Sequence, residues 1–448
     1  MDWLVESARA FVRAQGPNNN YLLAYSGGLD SHVLLHVFAT LRQTEPFQLR
    51  AIHIHHGIHP CADQWANHCK KICDQLQTDY FQQTIKPFSD RLNLEEKLRQ
   101  FRYQLFEACL LPDELLLTAH HQNDQAETIL LQLCRGAGLK GLSAMPRIKS
   151  FGKSFHARPF LDIARQDLLQ YAKQHQLDWI EDESNQNTHH TRNFFRHDII
   201  PVLEKRWPSV IKTLARSAKH CADAKHFMEI TTQKIVEKCQ GTVSATLSVK
   251  KLRDLSDIEQ RHVLRDFIQQ NGFLLPSVVK LQQIIKNLLL AAEDKMPHVT
   301  WGDAELRRYR DDLFLMKKRA PHDPLQVIDW DLSTPLTIPG VGVLTASSEA
   351  IMSPVTVRFR QGGEMLQLPG RSHRHALKKL FQEWGVLPWL RDLVPLIYAD
   401  NQLVAVVGYW MAGEWGDHVQ IQFRPEGTPL SKGVDECFLR GGGIFSIR

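Results

Sequence analysis

A short apolar run, a glycine-containing loop and a helical pattern follow one another near the start of the chain. The run Tyr21–Tyr25 is too short for a helix and predicts a buried strand. Apolar residues recur at helical spacing from Val33 onward, so a helix is predicted to begin near Asp30 or Ser31. The loop between strand and helix consists of Ser26, Gly27, Gly28, Leu29, Asp30 and Ser31.

This loop has the composition of a phosphate-binding turn. Two glycines let the backbone turn sharply and approach a ligand closely. Backbone N–H groups at a helix start, with serine hydroxyls beside them, bind anions. It is not a Walker loop, because no Gly-Lys-Ser or Gly-Lys-Thr follows at the required distance. An ordinary glycine turn before a helix is the alternative interpretation.

Short apolar runs alternate with amphipathic stretches from about residue 20 to residue 200. Repeated strand–helix units predict an α/β fold with a parallel sheet covered on both faces. Ligands in such sheets bind beyond the carboxyl ends of the strands, where the loop after Tyr25 must lie. Further strands are predicted at 49–54, 79–81 and 115–119, and further helices at 63–76, 94–108 and 124–135.

The chain has 448 residues, which is too long for one typical core. We predict a catalytic nucleotide-binding domain over 1–205, a mainly helical domain over 206–325 and a small α+β domain over 350–428. The helical domain includes helices at 258–270 and 278–292, and the last domain includes a helix from Ser372 and a buried strand at 402–410. The tail after residue 428 resembles a loop, and no role is assigned to it.

Composition suggests a cytoplasmic protein. No run of about 18 apolar residues is present, and the first residues lack the basic start and apolar middle of a signal peptide. Eight cysteines occur without a Cys-x-x-Cys pair, which favours reduced thiols. The formal net charge of +5 is only a mild hint of a polyanionic partner.

A polar cluster from Thr118 to Thr128 follows the strand predicted at 115–119. It includes His120, and it places Asp124 and Glu127 three residues apart on one helix face. Two carboxylates near a nucleotide can hold Mg²⁺, orient an amine or accept its proton. Helix capping by the same carboxylates is the alternative.

A second polar cluster lies at Glu181–Asn185 and Thr191–Arg196. Arg192, Asn193 and Arg196 are candidates for binding a phosphate or a substrate carboxylate. A solvated, charged helix start is an equally open interpretation.

Four histidines and a cysteine lie within His53–Cys61. A zinc site is one interpretation, but Cys61 has no companion cysteine at ligand spacing. Because this segment ends a strand beside the phosphate loop, we instead expect His56 to contact the nucleotide.

Basic and aromatic residues mix in the last predicted domain, a composition that suits RNA contact. We assign RNA contact to the basic helix face alone and expect its other face, Leu377, Leu380, Phe381 and Trp384, to be core. The proposed tRNA contacts are Arg371, Arg374, Lys378 and Lys379, and further basic or aromatic residues nearby are Arg358, Arg360, Trp389 and Arg391.

The loop Ser26–Ser31 resembles the PP-loop of ATP pyrophosphatases, and the chain as a whole resembles the tRNA(Ile)-lysidine synthetase family. The loop marks only the superfamily, whereas later motifs narrow the resemblance to the family. Those motifs are His53–Gly57, His120–Thr128, Arg135–Leu142, Asp182–Asn185, Thr191–Arg196, Leu377–Trp384 and Pro388–Asp392.

The resemblance implies a two-step reaction. ATP adenylylates the C2 oxygen of the wobble cytidine in the CAU anticodon of tRNA(Ile), and the ε-amine of free L-lysine then displaces AMP. The product, lysidine, changes codon specificity from AUG to AUA. The resemblance also implies roles for individual residues. Asp30 serves a Mg²⁺-neutralised pyrophosphate, and Asp124 or Glu127 holds and deprotonates the amine. His120 assists at the reacting base, and Arg192 binds phosphate or substrate.

One difference from the family pattern and two alternative functions stay open at this point. Many family members have two consecutive aspartates where this chain has Asn123-Asp124, so a metal role for the first position is in doubt. A PP-loop thiolation enzyme would need sulfur-carrying cysteines, and the Cys69/Cys73 spacing looks structural. A non-catalytic tRNA-binding protein is the other rival, and the sequence leaves open whether two copies form a homodimer.

Overall fold

The computed structural model describes residues 3–16, 20–55, 57, 60–85, 94–182, 191–292, 295–348, 354–369 and 371–426. They form two compact units, Met1–Met228 and Glu229–Arg448. No helix in these ranges is both long and apolar enough to cross a bilayer.

A six-stranded sheet organises the first unit. Its order is β3-β2-β1-β4-β6-β5, and all neighbouring pairs are parallel except β5 and β6. The predicted α/β fold with a parallel sheet is confirmed. The strands are β1 Asn20–Ala24, β2 Leu49–His55, β3 Asp79–Thr84, β4 Glu114–Leu117, β5 Ile148–Phe151 and β6 Ser154–Ala157.

Both faces of this sheet are covered because its central strands carry apolar side chains on both sides. In β1, Tyr21 and Leu23 join one core while Leu22 joins the core on the opposite face. The first core is formed with α1, α2, α3 and α7, and the second with α4. The helices of this unit are α1 Trp3–Gln15, α2 Leu29–Leu41, α3 Ala62–Gln75, α4 Leu94–Cys109, α5 Gln122–Cys134, α6 Leu139–Leu142, α7 Arg165–Gln174, α8 Thr191–Phe194 and α9 Ile200–Arg206, with a π-helical turn at Phe195–Ile199.

The topology fixes where a ligand binds. The chain leaves β1 toward β2 on one side, whereas β4 pairs with β1 on the other, so the strand order reverses between β1 and β4. In open α/β sheets this reversal creates a crevice at the carboxyl ends of the two strands. The phosphate loop follows β1 and the first polar cluster follows β4, so both border this crevice.

The helix α10, Val210–Lys238, contains the boundary between the units. After it, a small antiparallel sheet of order β7-β10-β9-β8 shares a core with three helices. These elements are β7 Leu247–Ser248, α11 Val249–Arg253, α12 Asp257–Gln270, α13 Val278–Ile284 with a π-helical turn at Ile285–Leu289, β8 His298–Trp301, β9 Ala304–Tyr309 and β10 Asp312–Lys317.

The rest of the second unit is rich in strands. Two of its sheets have the orders β11-β14-β17-β18-β19 and β12-β13-β20, and β15 pairs with β16. Its elements are β11 Ile328–Trp330, β12 Leu336–Ile338, β13 Gly342–Ser348, β14 Val355–Arg358, β15 Met365–Leu366, β16 His375–Ala376, α14 Leu377–Glu383, the 3₁₀-helix Pro388–Leu393, β17 Leu396–Ala399, β18 Gln402–Val406, β19 Trp410–Met411, α15 Gly413–Gly416 and β20 Val419–Pro425.

Two predicted elements differ from the structure. The helix expected from Ser372 begins at Leu377, because His375 and Ala376 pair with Leu366 and Met365 as a strand instead. The strand expected over 402–410 ends at Val406, where the chain turns before Trp410 resumes pairing. The predicted domains also leave out β11, β12 and β13. In the structure β11 pairs with β14, β12 pairs with β13, and β13 pairs with β20.

Candidate active site at the crevice

The conformation of the phosphate loop depends on close packing around Gly27. Its φ of +84° lies in the left-handed region, and a Cβ there would come within 2.4 Å of Ile180 Cδ1 and 2.9 Å of Cys69 Sγ. The Ile180 N–H donates to the Gly27 carbonyl at 3.0 Å. Only glycine fits both the backbone angle and the space, so the loop conformation depends on this residue.

Hydrogen bonds between the two serines close the loop. The Ser26 N–H donates to Ser31 Oγ at 3.2 Å, the two Oγ atoms lie 3.0 Å apart, and Ser31 Oγ donates to the Gly28 carbonyl at 3.0 Å. Gly28 is the N-cap of α2 and supplies no side-chain cap. The first amides of α2 therefore have no partner within the helix and can donate to an anion.

His121 connects this loop to the cluster after β4. It is buried, with 1% of its surface exposed, and its Nε2 lies 3.5 Å from Asp30 Oδ2 and 3.6 Å from Asp124 Oδ2. Burial disfavours a charge on this ring, but Asp124 and Asp30 outweigh burial and raise the pKa of His121. Two carboxylates, one from the first turn of α2 and one from the first turn of α5, are thus brought to one imidazole.

The capping interpretation of Asp124 holds for one of its oxygens. His121 is the N-cap of α5: its Nδ1 accepts from the Asp124 N–H at 3.4 Å, and Asp124 Oδ2 accepts from the His121 N–H at 3.0 Å. The other oxygen, Oδ1, accepts from Arg196 Nη2 at 3.1 Å. Asp124 therefore both caps the helix and contributes charge to the site.

Arg196 joins the two predicted carboxylates. Its Nε and Nη2 donate to the two oxygens of Glu127 at 2.6 and 3.2 Å, a bidentate pair, in addition to the bond to Asp124. Glu127 is fully buried, whereas 30% of the Arg196 side chain is exposed. A merely solvated helix start is excluded for Arg196. Arg192 lies beside it and donates to Thr128 Oγ1 at 3.1 Å.

The environments of Asp124 and Glu127 move their pKa values apart. Burial raises the pKa of Glu127, the charge of Asp124 adds to this shift, and Arg196 opposes it. Burial acts in the same direction on Asp124, but His121, the hydrogen bond from the His121 backbone and Arg196 lower its pKa overall. Asp124 is thus the permanent anion of the pair, and Glu127 is the better proton acceptor.

His120 is a neutral imidazole at the same strand end. Its Nδ1 lies 2.7 Å from Thr118 Oγ1, and burial lowers its pKa to about 3 against the opposing effect of Asp124. It therefore carries no charge near neutral pH.

Asn123 has a structural task at the start of α7. Its Oδ1 accepts from the Arg165 N–H at 3.0 Å, at the first residue of α7. Asparagine and aspartate offer the same oxygen for this bond, so the substitution leaves the cap of α7 intact.

Asp30 Oδ1 fits the role of one ligand of a magnesium ion that also binds substrate phosphates. Asp30 Oδ1 is buried and accepts no hydrogen bond from a described residue, and the nearest cation is Arg165 Nε at 3.8 Å. Magnesium is commonly held by one or two carboxylates together with substrate phosphates. No group of three or more metal-ligating side chains occurs within the described ranges.

Within the histidine segment His53–Cys61, His53 supports the phosphate loop through a backbone contact. His56 lies outside the described residues. His53 is buried on β2, and its Nδ1 lies 3.0 Å from the Tyr25 carbonyl, so it supports the start of the phosphate loop. His55 Nε2 pairs with Asp63 Oδ1 at 3.0 Å.

Cys69 and Cys73 are core residues. Both are fully buried on α3, and burial raises the pKa of each thiol to about 12. A reactive persulfide carrier needs an accessible thiolate, so these cysteines do not suit sulfur transfer.

The basic residues near the C-terminus divide into two groups. Arg374, Lys378 and Lys379 are exposed, and Arg371 is exposed but paired with Glu383 at 3.0 Å. The core assignment holds for the other helix face, where Leu377, Leu380 and Phe381 are fully buried and Trp384 is partly buried.

The surrounding basic and aromatic residues have structural contacts. Arg391 is buried and donates to the Val386 carbonyl at 3.0 Å, and Trp389 packs edge-on to Phe314. Arg360 pairs with Asp392, and Arg358 lies over Tyr398. Each of these four residues thus has a contact within the second unit, and the predicted RNA contacts stay those of the exposed basic helix face.

Sequence reasoning missed several residues of this site, including His121 as the link between carboxylates. Its signal was the N-cap position three residues before Asp124, but the contact with Asp30 depends on the fold. The other missed residues are Arg165, His156 and Ile180.

A family model described as "PP-loop domain" matches residues 4–203. The fold and the loop after β1 thus define a PP-loop protein. Models described as "TilS substrate binding domain" and "TilS substrate C-terminal domain" match residues 247–314 and 355–427.

Three curated relatives carry the name tRNA(Ile)-lysidine synthase. The protein of Coxiella burnetii is 41% identical and is aligned over 93% of this chain and 96% of its own. Those of Methylococcus capsulatus and Shigella flexneri are 39% and 38% identical, over 91% and 88% of this chain and 96% and 92% of their own. The chain belongs to the tRNA(Ile)-lysidine synthase family, which confirms the resemblance inferred from its motifs.

Proposed function

We propose that this protein ligates L-lysine to C2 of the wobble cytidine in the CAU anticodon of tRNA(Ile), with cleavage of ATP to AMP and pyrophosphate. The observation that carries the proposal is the link through His121, which brings the Asp124 carboxylate next to Asp30 of the phosphate loop. Activation of an oxygen by ATP and attack by an amine need these two subsites side by side. Since tRNA, ATP and free lysine meet in the cytoplasm, we place the activity there.

On the ATP side, the phosphate loop binds and orients the nucleotide. The amides at the start of α2 donate to phosphate oxygens, and the hydroxyls of Ser26 and Ser31 hold the loop that presents these amides. Asp30 Oδ1 is the oxygen that would hold Mg²⁺ together with the phosphates. A bound Mg²⁺ supplies neutralisation of the pyrophosphate charge.

On the amine side, Asp124 and Glu127 have different roles. Asp124, with its lowered pKa, binds the ε-ammonium of lysine as an anion. Glu127, with its raised pKa, accepts the proton that the amine loses before it attacks C2. The bidentate pair with Arg196 fixes the orientation of the Glu127 carboxylate.

The remaining candidates contact the substrate around these carboxylates. His120 donates a hydrogen bond to the reacting base, and Arg192, Asn193 and Arg196 bind phosphate or the lysine carboxylate. The exposed side chains at Arg371, Arg374, Lys378 and Lys379 contact tRNA.

The decisive test incubates the protein with ATP, Mg²⁺, labelled lysine and matched isoleucine and methionine tRNAs. We expect label in the isoleucine tRNA alone, with one AMP formed per lysine incorporated. A tRNA that remains unlabelled while ATP is not consumed would contradict the proposal, and tRNA-dependent ATP–pyrophosphate exchange would separate a catalyst from a non-catalytic tRNA-binding protein.

A matched pair of variants tests the amine subsite. Asp124→Asn removes the permanent anion and is expected to reduce lysine incorporation by about 10²-fold or more. Asn123→Asp changes the neighbouring position, where the oxygen only caps α7, and is expected to retain most of the activity. Full incorporation by Asp124→Asn would remove this residue from the mechanism.

A further inference from the structure

A row of polar side chains lies behind His120 in the sheet. Thr118 Oγ1 lies 2.7 Å from His120 Nδ1 and 2.7 Å from His156 Nε2, and Arg158 Nη2 lies 3.2 Å from His156 Nδ1. Thr118, His156 and Arg158 are 7%, 0% and 3% exposed. Such a row is costly to bury unless every donor meets an acceptor, so the direction of each hydrogen bond can be deduced.

The donor and acceptor of each hydrogen bond in this row can be deduced by starting from Arg158. A guanidinium has only N–H groups to offer, so its Nη2 must donate and His156 Nδ1 must accept. Arg158 is held in this position by a second bond, from Nη1 to the Pro146 carbonyl at 2.8 Å. The proton of the neutral His156 ring is therefore on Nε2, and this N–H donates to Thr118 Oγ1.

The same reasoning carries the order through Thr118 to His120. A threonine hydroxyl has one hydrogen. With His156 donating to its oxygen, that hydrogen has His120 Nδ1 as the only acceptor within reach among the described residues. His120 Nδ1 is thus an acceptor, and the single proton of the neutral ring must be on Nε2.

We propose that Arg158, His156 and Thr118 are positioning residues that hold His120 as the neutral tautomer with its proton on Nε2. None of the three is required to touch substrate. They act through His120, which presents an N–H group at the carboxyl end of β4 and cannot present a bare nitrogen.

The tautomer determines what His120 does in the proposed reaction, and this consequence rests on the proposed function. A neutral Nε2–H donates a hydrogen bond to an oxygen that gains negative charge, without transferring its proton. The pKa values of about 3 for His120 and about 2 for His156, both lowered first by burial, keep the two rings uncharged near neutral pH. The charged and titratable groups that face these two rings are Asp124, Arg99, Lys149, Arg158 and Arg192, and Tyr103 packs against His156.

The test uses nitrogen NMR of the full-length protein labelled with ¹⁵N-histidine, with the His120 signals assigned from their absence in His120→Asn. We expect the wild type to show a protonated Nε2 and a bare Nδ1 on His120 from pH 6 to pH 8. Thr118→Ser keeps the hydroxyl and should preserve this pattern, whereas the isosteric Thr118→Val should give mixed or reversed tautomers. A protonated Nδ1 in the wild type, or an unchanged pattern in Thr118→Val, would overturn the proposal.

Activity provides the second measurement. We expect Thr118→Val to lower kcat for lysine incorporation at least tenfold with little change in the KM for ATP, and Thr118→Ser to recover most of the loss. Equal kcat values for the wild type and Thr118→Val would contradict a positioning role. If Thr118→Val does not fold, the wild-type tautomer still decides the proposal. If the predicted tautomer is found but no lysine is incorporated by any form, the proposed function fails and the proton order stands.

Discussion

The candidate site is built from side chains that each make more than one contact. Asp124 uses one oxygen for the cap of α5 and the other for Arg196, and His121 serves as N-cap while its Nε2 approaches Asp30. Sharing of this kind fixes rotamers before any substrate arrives, which reduces the entropy lost on binding. It also means that a single substitution disturbs several contacts at once.

Gly27 offers a sharp test of loop geometry. Gly27→Ala introduces a methyl group that meets Ile180 and Cys69, so we expect loss of at least tenfold in ATP affinity, measured by titration calorimetry. Gly16→Ala is the control, because Gly16 has a similar φ of +92° but open space around it. Backbone strain should cost each variant about 1 kcal/mol of stability, and Gly27→Ala should lose more because its methyl group also meets Ile180 and Cys69. Equal ATP affinities for the two variants would show that the packing around Gly27 does not shape the loop.

His32 makes a pH-dependent contribution to stability. Burial, followed by the charges of His68 and His36, lowers its pKa to about 4, against the opposing effect of Asp178. The unfolded ring has its ordinary pKa near 6.5, so below that value the unfolded chain binds a proton that the folded chain does not. Stability therefore falls as the pH is lowered from 7 toward 4.

Denaturant unfolding at pH 7 and pH 5.5 measures this effect. Between pH 7 and pH 5.5 the free energy of unfolding should fall by about 1 kcal/mol less in His32→Asn than in the wild type. His220→Gln, a change at an exposed histidine of α10, should leave the pH dependence unchanged. An identical slope for wild type and His32→Asn would contradict the neutral state of His32 in the folded protein.

At the scale of elements, sequence predicted regular structure where one strong periodicity operates. The all-apolar runs of β1 and β4 and the helical spacing in α2 and α5 leave few alternatives, and polar residues at strand ends indicated the site. The elements that were missed, such as β5, β6 and α7, are short or lack an apolar pattern, and their pairing depends on distant segments. The same limit hid the contacts of His121 with Asp30 and of His156 with Thr118, because each joins segments far apart in the sequence.

The basic face of α14 carries a prediction about tRNA. Lys378→Ala with Lys379→Ala removes two exposed charges, so we expect about a tenfold weaker binding of tRNA and a salt slope smaller by about two. Filter binding at several salt concentrations measures both. Lys70→Ala with Lys71→Ala removes the same charge from α3 and should leave tRNA binding unchanged. If both double variants weakened tRNA binding equally, the effect would come from the net charge of the protein and not from a contact of α14 with tRNA.

At the scale of the whole molecule, the two units have separate hydrophobic cores. The phosphate loop, its carboxylates and Arg196 all belong to the first unit, while the exposed lysines of α14 belong to the second. The chain thus divides ATP chemistry from the predicted basic tRNA contacts, and each task is supported by its own packing.

Scanning calorimetry tests this division. A non-hydrolysable ATP analogue at about 100 times its dissociation constant adds about 2.7 kcal/mol to the unit that binds it. We expect two transitions, of which only the one assigned to the first unit rises, by roughly 5–10 °C. Gly27→Ala should abolish that rise. A single transition that rises as a whole would show that the units unfold together and would contradict this division.

The cap that Asn123 supplies to α7 has an evolutionary consequence. The bond from the Arg165 N–H needs one oxygen atom, and a carboxamide and a carboxylate both provide it. Codons for asparagine and aspartate differ by one base, so a single mutational step exchanges the two side chains while this hydrogen bond is kept. The formal charge next to the ATP loop can therefore change by one unit without loss of the cap of α7.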